Sequence, residues 1–456
     1  MLQLFSIITF VAVVLIGIIP GLRIKDSDEW AMGGRSLNWA AVAVLIAVFQ
    51  IGGTSIMGAA QNGYVMGIAG SWYGIAGFIS IGLTALFSSK LRSSFEGDTL
   101  SSFLENRYND RVGKLYSTIY LIMGFFYIPI QLFTLTTIIR MIIPGISLGF
   151  AAVIGLLLSI TYSSISGIKG ASSVGKLTCI IIYISIVIGV IMIVNTVGGM
   201  DVLRSELPPE YFKLSAMPLS TILGWFATIF VAFLTMQAGV QPVLAAKDHK
   251  SAVIGVIVGG FLTLPIGVLT TITGMAGKIS FADIASADAF AVTTVEFVTP
   301  WITGIIFGAV GLVITTTLAG QVLALGTIIR NVLDNTYKRK GYDERQILKV
   351  SRIATFIFAF ITIIPTFLVE QALLSQLVVI LVACSTGPMF FSIVGGLFSD
   401  KISSSGAYAS VISGVITGVA WVIMGLHNTV HPIFPILVVS TVFGAIISAT
   451  KPECSA

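Results

Sequence analysis

The sequence predicts an all-α polytopic membrane protein, and three observations support that prediction. Hydrophobic residues make up 56% of the 456 residues, charged residues make up only 10%, and the mean hydropathy is +1.00. Soluble domains carry about 25% charged residues. Apolar stretches of roughly 20 residues, the length that spans a bilayer as a helix, recur along the whole chain.

By that length criterion the chain contains thirteen predicted transmembrane helices, at residues 2–21, 39–65, 67–90, 112–141, 146–164, 172–198, 217–245, 251–275, 298–330, 349–368, 372–397, 405–425 and 430–449. The longer hydrophilic segments at 91–111 and 331–348 are predicted inner loops, and those at 199–216 and 276–297 are predicted outer loops. None of them is large enough to fold as a soluble domain.

The basic residues predict the orientation of the chain. An N-terminus outside the cell places all but four of the 25 Lys and Arg on the inner side, the exceptions being Arg140, Arg204, Lys213 and Lys278. Positive charge accumulates in cytoplasmic loops. We therefore predict a multi-pass plasma-membrane protein with its N-terminus outside and its C-terminus in the cytoplasm. The net charge of +5 gives no reason to expect a nucleic-acid partner, because the basic residues lie in membrane loops.

Several classes of function lose support from the residues that the chain lacks. Its acidic residues fall in predicted loops, tails or helix ends, which argues against a proton relay built on intramembrane carboxylates. The three cysteines, Cys179, Cys384 and Cys454, have no metal-binding or disulfide spacing. There is no nucleotide-binding P-loop and no nucleophile–base set. The sequence therefore predicts a protein that is not an enzyme.

The second predicted helix is interrupted near its middle. Gly52 and Gly53 break it, and Gln50, Thr54 and Ser55 add hydrogen-bonding groups at the same depth. An opened backbone in hydrocarbon must face protein, water or a ligand, and broken membrane helices often form solute sites. A glycine-rich contact between helices is the alternative explanation, and this stretch alone leaves both open.

A second interruption occurs five helices later, at Gln237–Gly239 in the seventh predicted helix. Interrupted helices at matching positions of two halves indicate an internal repeat with a site at the membrane midplane. Because five is odd, the two halves must be inverted. We therefore predict two inverted five-helix repeats, at residues 39–198 and 217–397, separated by an outer loop at 199–216. One extra helix precedes them in an N-terminal segment at 1–38, and two extra helices follow in a C-terminal segment at 398–456.

Three consecutive threonines, Thr315 to Thr317, lie in the ninth predicted helix. Threonine hydroxyls in membrane helices often bond back to the carbonyl four residues earlier. They can also join carbonyls freed at a broken helix in a site for a hard cation. The sequence favours neither reading at this point.

Several motifs resemble one family of transporters. They are GGRSLNWAAVA (33–43), GAAQNGYVMGIAGSWY (58–73), TLSSFLENRY (99–108), QPVLAAKD (241–248), TTLAGQVLALGTIIRNVL (316–333), TGPMFFSIVGGLF (386–398) and GAYASVISGVITG (406–418). Together and in this order they resemble the sodium:solute symporter family, the relatives of sodium/proline and sodium/glucose cotransporters with a LeuT-like fold. The resemblance implies that this chain imports a small organic solute with Na+ by alternating access.

The resemblance also implies two sets of site residues. The sodium ligands would be the carbonyl oxygens of Val48, Ile51 and Val313 with the hydroxyls of Thr316 and Thr317, and the register among the three threonines is open by one residue. The solute would be lined by Gln50, Thr54, Ser55, Tyr73 and Gln237. No charged pocket is visible, which favours a neutral or zwitterionic solute such as an amino acid or a polyol.

One position departs from the family pattern. Family members often carry a Thr-Asp pair in the fifth core helix, whereas this chain has Gly175 at about the Asp position and Lys176 beside it. A lysine ammonium near the cation site would substitute for sodium, since buried lysines readily lose their proton. A proton-coupled or ion-independent transporter is therefore one alternative, and a solute sensor that does not transport is another.

Overall fold

Helices make up almost all of the regular structure in the computed structural model, which describes residues 1–21, 27–95, 97–339, 343–368 and 373–451. In chain order the α-helices are α1 Leu2–Gly21, α2 Ser27–Met32, α3 Trp39–Gln50, α4 Gly53–Met66, α5 Trp72–Ser94, α6 Leu100–Arg107, α7 Asp110–Ile142, α8 Leu148–Val197, α9 Met200–Glu206, α10 Leu219–Thr235, α11 Gln237–Leu244, α12 His249–Ser280, α13 Ala289–Phe297, α14 Pro300–Arg339, α15 Glu344–Ile361, α16 Leu374–Thr386, α17 Gly396–Phe398, α18 Ser404–Ile423 and α19 Ile433–Thr450. The prediction of an all-α chain is confirmed at this level.

Within the described residues nine helices are long and apolar enough to cross a membrane, or ten when α10 and α11 are counted as one bent span. Shorter apolar helices cover Leu2–Ala12, Trp39–Gln50 and Leu148–Thr161. The predicted count of thirteen and the two inverted repeats therefore stay predictions. Arg23, Lys25 and Lys340, which the charge pattern assigns to the inner side, lie outside the described residues.

The boundaries differ from prediction in ways that bear on the site. The second predicted helix is divided into α3 and α4, and the seventh is divided into α10 and α11. The fifth and sixth predicted helices form one element, α8, which is broken only at Gly167, where φ is 53°. The predicted inner loop at 331–348 is shorter because α14 continues to Arg339.

Local side-chain hydrogen bonds explain where several helices begin. Asn38 accepts a hydrogen bond from the Ala41 amide at the start of α3, and Asp248 accepts one from the Ser251 amide at the start of α12. A capping box between Thr99 and Ser102 begins α6. Such caps satisfy amides that have no partner within the helix.

The helices pack into one bundle around the two interrupted elements. α12 packs against α3, α4 and α5, while α14 packs against α1, α7 and α8. Large apolar side chains such as Ile416 in α18 and Val438 in α19 remain exposed. Exposed apolar faces of this extent suit a lipid environment and not water.

Candidate functional site

The first break separates α3 from α4 at Ile51 and Gly52. The Ile51 amide still donates to the Ala47 carbonyl, and Gly52 then leaves the helical conformation with φ −46° and ψ −168°. Glycine is required here by close packing. A Cβ at Gly52 would lie 2.9 Å from Thr317 Oγ1, and a Cβ at Gly53 would collide with Thr134 Oγ1.

The polar groups opened by this break find partners on α7 and within α4. The Gly53 amide donates to Gln131 Oε1 at 2.9 Å, and Gln131 Nε2 donates to the Tyr127 hydroxyl at 3.1 Å. Ser55 Oγ donates to the Gln50 carbonyl. Gln131 is fully buried and was not among the predicted site residues. No local pattern marks it in the sequence, because its partner lies 78 residues away.

The structure brings three of the five predicted sodium ligands into direct contact. Thr317 Oγ1 lies 2.7 Å from the Val48 carbonyl oxygen and 3.0 Å from the Val313 carbonyl oxygen. Of the three threonines, Thr317 is therefore the one that touches the break. The arrangement gathers neutral oxygens only, which is the chemistry that a hard monovalent cation needs from a broken helix.

The other predicted ligands lie close to this contact. Thr316 Oγ1 donates to the Leu312 carbonyl at 2.7 Å, and Thr316 lines a small cavity together with Val48. Ile51 is buried one residue beyond the end of α3. Thr315 Oγ1 is buried without a hydrogen-bond partner among the described residues.

The side chain of Lys176 does not lie on the face of α8 that packs against α3. Its side chain is exposed, whereas its neighbour Gly175 is buried. A Cβ at Gly175 would lie 2.5 Å from Val44 Cγ1, so it is Gly175 that faces α3. Successive residues of a helix point about 100° apart, and this turns Lys176 outward. The exposed position of Lys176 gives no support to the prediction that its ammonium substitutes for the cation.

A second cavity, of about 30 Å³, contains part of the predicted solute set. Gln50 and Tyr73 line it, together with Tyr127, Thr228 and a group of apolar side chains from α10 and α16. Thr54 Oγ1 lies 3.3 Å from the Tyr73 hydroxyl, at the edge of this cavity. The hydroxyl of Ser55 is turned to the Gln50 carbonyl instead. Tyr127 and Thr228 were not predicted.

The second break lies at Met236, which has extended backbone angles between α10 and α11. The two helices meet at an angle of 54°. The Tyr116 hydroxyl donates to the Thr235 carbonyl at 3.1 Å, and the Ala238 amide donates to the Tyr120 hydroxyl at 3.1 Å. Because Tyr116, Tyr120 and Gln131 all belong to α7, this one helix supplies partners to both breaks.

Gln237, the fifth predicted solute-binding residue, is not among the residues that line the second cavity. Its Oε1 accepts from the Leu100 amide at 2.9 Å, and its Nε2 donates to the Asp98 carbonyl at 3.0 Å. The side chain is fully buried. It therefore connects the start of α11 to the loop that precedes α6.

That loop also carries a cluster of charges. Asp98 forms ion pairs with Arg330 at 2.9 Å and with Arg35 at 3.8 Å. Nearby, burial raises the pKa of the Glu105 carboxyl, and hydrogen bonds with Asn331 and Ser101 act in the opposite direction. Since Arg330 and Asn331 belong to α14, the loop and α6 are tied to the helix that carries the threonines.

Neutral polar groups characterise the region around the first break. The Thr317 hydroxyl contacts the Val48 carbonyl, and a cavity nearby has both polar and apolar walls. Within the described residues no group of three or more His, Cys, Asp or Glu is arranged to hold a metal ion.

The sequence of this chain is similar to those of a known protein family. A family model described as the sodium:solute symporter family matches residues 30–414. The sodium/proline symporter of Escherichia coli is 24% identical over 463 residues, covering 92% of this chain and 87% of the relative. The sodium/glucose cotransporter of Vibrio parahaemolyticus is 21% identical over 437 residues, covering 86% and 78%. The osmoregulated proline transporter of Bacillus subtilis is 22% identical, covering 97% and 93%.

Solved structures agree in fold. The structure of a Na+-coupled sialic acid symporter, in a substrate-bound outward-open state, matches with a TM-score of 0.81 at 16% identity and covers 99% of this chain and 98% of that one. A nucleobase-cation-symport-1 family transporter in a closed conformation matches with a TM-score of 0.63 at 14% identity, covering 93% and 96%. These likenesses show a LeuT-like fold.

Proposed function

Because this chain belongs to the sodium:solute symporter family, we propose that it is a Na+-coupled secondary transporter that imports a small organic solute by alternating access. It is a multi-pass membrane transporter and not an enzyme, as are the relatives that it matches. One observation carries the sodium part of the proposal: Thr317 Oγ1 lies between the carbonyls of Val48, at the break, and Val313.

In this proposal Na+ binds where α3 ends. The carbonyls of Val48, Ile51 and Val313 and the hydroxyls of Thr316 and Thr317 supply the oxygens. The Thr317 hydroxyl now donates a hydrogen bond to this group of carbonyls. When the cation enters, the hydroxyl rotates and offers a lone pair, so that a donor becomes a ligand. No proton has to be released, because every proposed ligand is neutral.

The solute binds in the adjacent cavity, where Gln50 and Tyr73 lie close to the same break. Cation binding fixes the end of α3, and the solute then contacts a wall that is already ordered. Movement of the two broken helices against α7 opens the cavity first to one side of the membrane and then to the other. The five-plus-five inverted repeat and an outside N-terminus are part of this proposal.

The alternatives have less support. A lysine that replaces the cation has to reach the break, and the side chain of Lys176 is exposed on the outer surface of α8. A solute sensor would bind the solute at the same site without transporting it, so an uptake measurement distinguishes a sensor from a transporter.

The first test measures the cation without needing the solute. Thermal unfolding of the purified chain is recorded in NaCl, KCl and choline chloride at equal ionic strength. A bound ion stabilises the folded state by mass action, so we expect Na+ alone to raise the unfolding temperature. Equal stabilisation by all three salts would contradict sodium binding.

Two threonine variants sharpen this test. Thr317→Val removes the proposed ligand with little change of shape, and we expect sodium affinity to fall about tenfold or more, as for a lost hydrogen bond to a charged group. Thr84→Val is the matched control, since the one hydrogen bond that its hydroxyl donates within the described residues is to Ile81 of its own helix. Uptake of radiolabelled amino-acid and polyol pools into proteoliposomes, with and without a sodium gradient, then tests transport.

A further inference from the structure

The helix α15 carries three basic side chains on one face near its start. Arg345, Lys349 and Arg352 recur at intervals of four and three residues, which places them within an arc of about 60° on the helix surface. Arg345 and Lys349 are exposed, and Arg352 is half-buried. Because α15 belongs to the apolar span Arg345–Phe367, this basic face lies at one end of a membrane helix.

The same face continues as an aromatic surface. Phe356 and Phe360 follow the basic residues within a total arc of about 80°. They are 41% and 44% exposed, and their rings stack with centroids 6.4 Å apart. At a rise of about 1.5 Å per residue, Phe360 lies about 12 Å beyond Arg352 along the helix. Positive charge at the membrane surface is therefore continuous with apolar surface at the depth of the hydrocarbon.

The opposite face of α15 packs against the protein. Ser351, Thr355 and Ala359 are buried, and α15 packs against α14. A Cβ at Gly326 of α14 would lie 2.8 Å from Thr355 Oγ1. This close contact fixes the rotation of α15, so the basic and aromatic face is turned away from the bundle.

The charges of this face have no acidic partner in the described part of the chain. None of the three basic side chains forms an ion pair there, whereas Lys169 of α8 pairs with Glu29 at 3.0 Å. Asp343, at the start of α15, uses its carboxylate to accept a hydrogen bond from the Gln346 amide. The positive charge is therefore directed to a partner outside the bundle.

From this arrangement we propose that the face binds an anionic phospholipid. The headgroup phosphate contacts the three basic side chains, and an acyl chain lies along the two phenylalanine rings. Arginine binds phosphate through two parallel hydrogen bonds, and long basic side chains near the end of a membrane helix reach to the interface. A soluble anion would use the charges and leave the aromatic surface without a role.

The neighbouring sequence supports a lipid partner. Lys338, Arg339 and Lys340 precede α15, which brings the number of basic residues near this helix end to six. Clusters of four to eight Lys and Arg at the cytoplasmic end of a membrane helix are typical of binding to anionic lipids. The proposed outside N-terminus places the start of α15 at the cytoplasmic leaflet, whose surface is negatively charged.

The test counts lipids bound to the purified full-length chain by native mass spectrometry. The probes are phosphatidylglycerol and phosphatidylcholine with identical oleoyl chains, and glycerophosphoglycerol, which is the anionic headgroup without chains. Each basic residue near an anionic lipid contributes about fivefold in affinity. We therefore expect phosphatidylglycerol to bind up to about a hundredfold more tightly than phosphatidylcholine, and the preference to fall as ionic strength rises. Equal binding of the two lipids overturns the proposal, as does displacement of the lipid by an equal concentration of glycerophosphoglycerol.

Two triple variants assign the preference to α15. Arg345→Gln, Lys349→Gln and Arg352→Gln together should leave the two lipids within about threefold of each other in affinity. Lys90→Gln, Lys250→Gln and Lys401→Gln together remove the same charge from exposed positions on other segments and should retain the preference. Equal losses in both variants would show a response to net charge alone and would overturn the assignment.

Milder variants keep the test valid if the first triple variant misfolds. Lys349→Glu reverses one exposed charge and should lower the preference about tenfold or more, while Arg345→Lys with Arg352→Lys keeps the charge and should retain most of it. Phe356→Ala with Phe360→Ala should weaken both lipids to a similar extent, because contact with the acyl chain does not depend on the headgroup. An unchanged preference in Lys349→Glu, with normal thermal unfolding, refutes the role of this face.

Discussion

Replacing Gln131 of α7 with leucine should destabilise the first break, which lies between α3 and α4. In the native chain Gln131 Oε1 accepts from the Gly53 amide at 2.9 Å. Leucine fills a similar volume but accepts nothing, so the Gly53 amide is left buried and unpaired. An orphaned buried donor costs about 1–3 kcal/mol. We expect the free energy of unfolding to fall by that amount.

The same change should weaken sodium binding. The break can recover a partner for Gly53 only by moving the start of α4, which shifts it relative to the Val48 carbonyl and Thr317. If about 2 kcal/mol of the loss falls on the sodium-bound geometry, the sodium affinity drops about 30-fold. Denaturant or thermal unfolding with a NaCl titration measures both quantities.

Two further variants decide whether this reasoning is right. Gln131→Glu keeps an acceptor oxygen for the Gly53 amide, and at an acidic pH that keeps this buried carboxyl protonated it should retain more of the stability than Gln131→Leu. Thr136→Val lies on the same helix and loses only a hydroxyl that bonds to Phe133 of α7. If Gln131→Leu is no worse than Thr136→Val in stability and in sodium affinity, the role of Gln131 is refuted.

Two other predictions concern regions away from the cavity. Gln237→Leu leaves the Leu100 amide without its acceptor, so hydrogen exchange in residues 97–107 should accelerate. Solute affinity should change less than about threefold, which corresponds to less than about 0.7 kcal/mol. A large loss of affinity with normal hydrogen exchange would contradict this prediction. Burial, with His427 nearby, lowers the pKa of His431 from 6.5 to about 4, so the unfolded state takes up a proton first as pH falls. Stability should therefore drop between about pH 6.5 and pH 4, by about 2–3 kcal/mol at pH 4.5, and His431→Asn should flatten this part of the pH profile of unfolding relative to the unmodified chain.

The positions of the two breaks were predictable because the signals are local. Consecutive glycines at 52 and 53 and the polar run around Gln237 interrupt otherwise apolar helices. The side-chain directions were not predictable in the same way. Gln237 follows the break as expected, yet its amide turns to Asp98 and Leu100, because those loop atoms are the partners within reach after folding.

The sequence also indicated which residues would meet the first break, but it gave no indication of the polar groups of α7. Three consecutive threonines project over much of the helix circumference, and one of them, Thr317, contacts Val48. Gln131 and Tyr120 are two of several polar residues in a long helix, and no pattern in the sequence separates them from the others. Their importance comes from backbone groups on other helices that have no partner of their own.

By itself, then, the sequence determined the membrane environment, the helical fold and the places where helices open, since hydropathy and glycine act over a few neighbouring residues. Tertiary structure decided which side chains meet there. Thr317 and Val48 are 269 residues apart in the chain. Gly175 and Lys176 are adjacent, but the first packs on Val44 and the second is exposed. Adjacent side chains on a helix point about 100° apart, and the contacts with neighbouring helices decide which of them is buried.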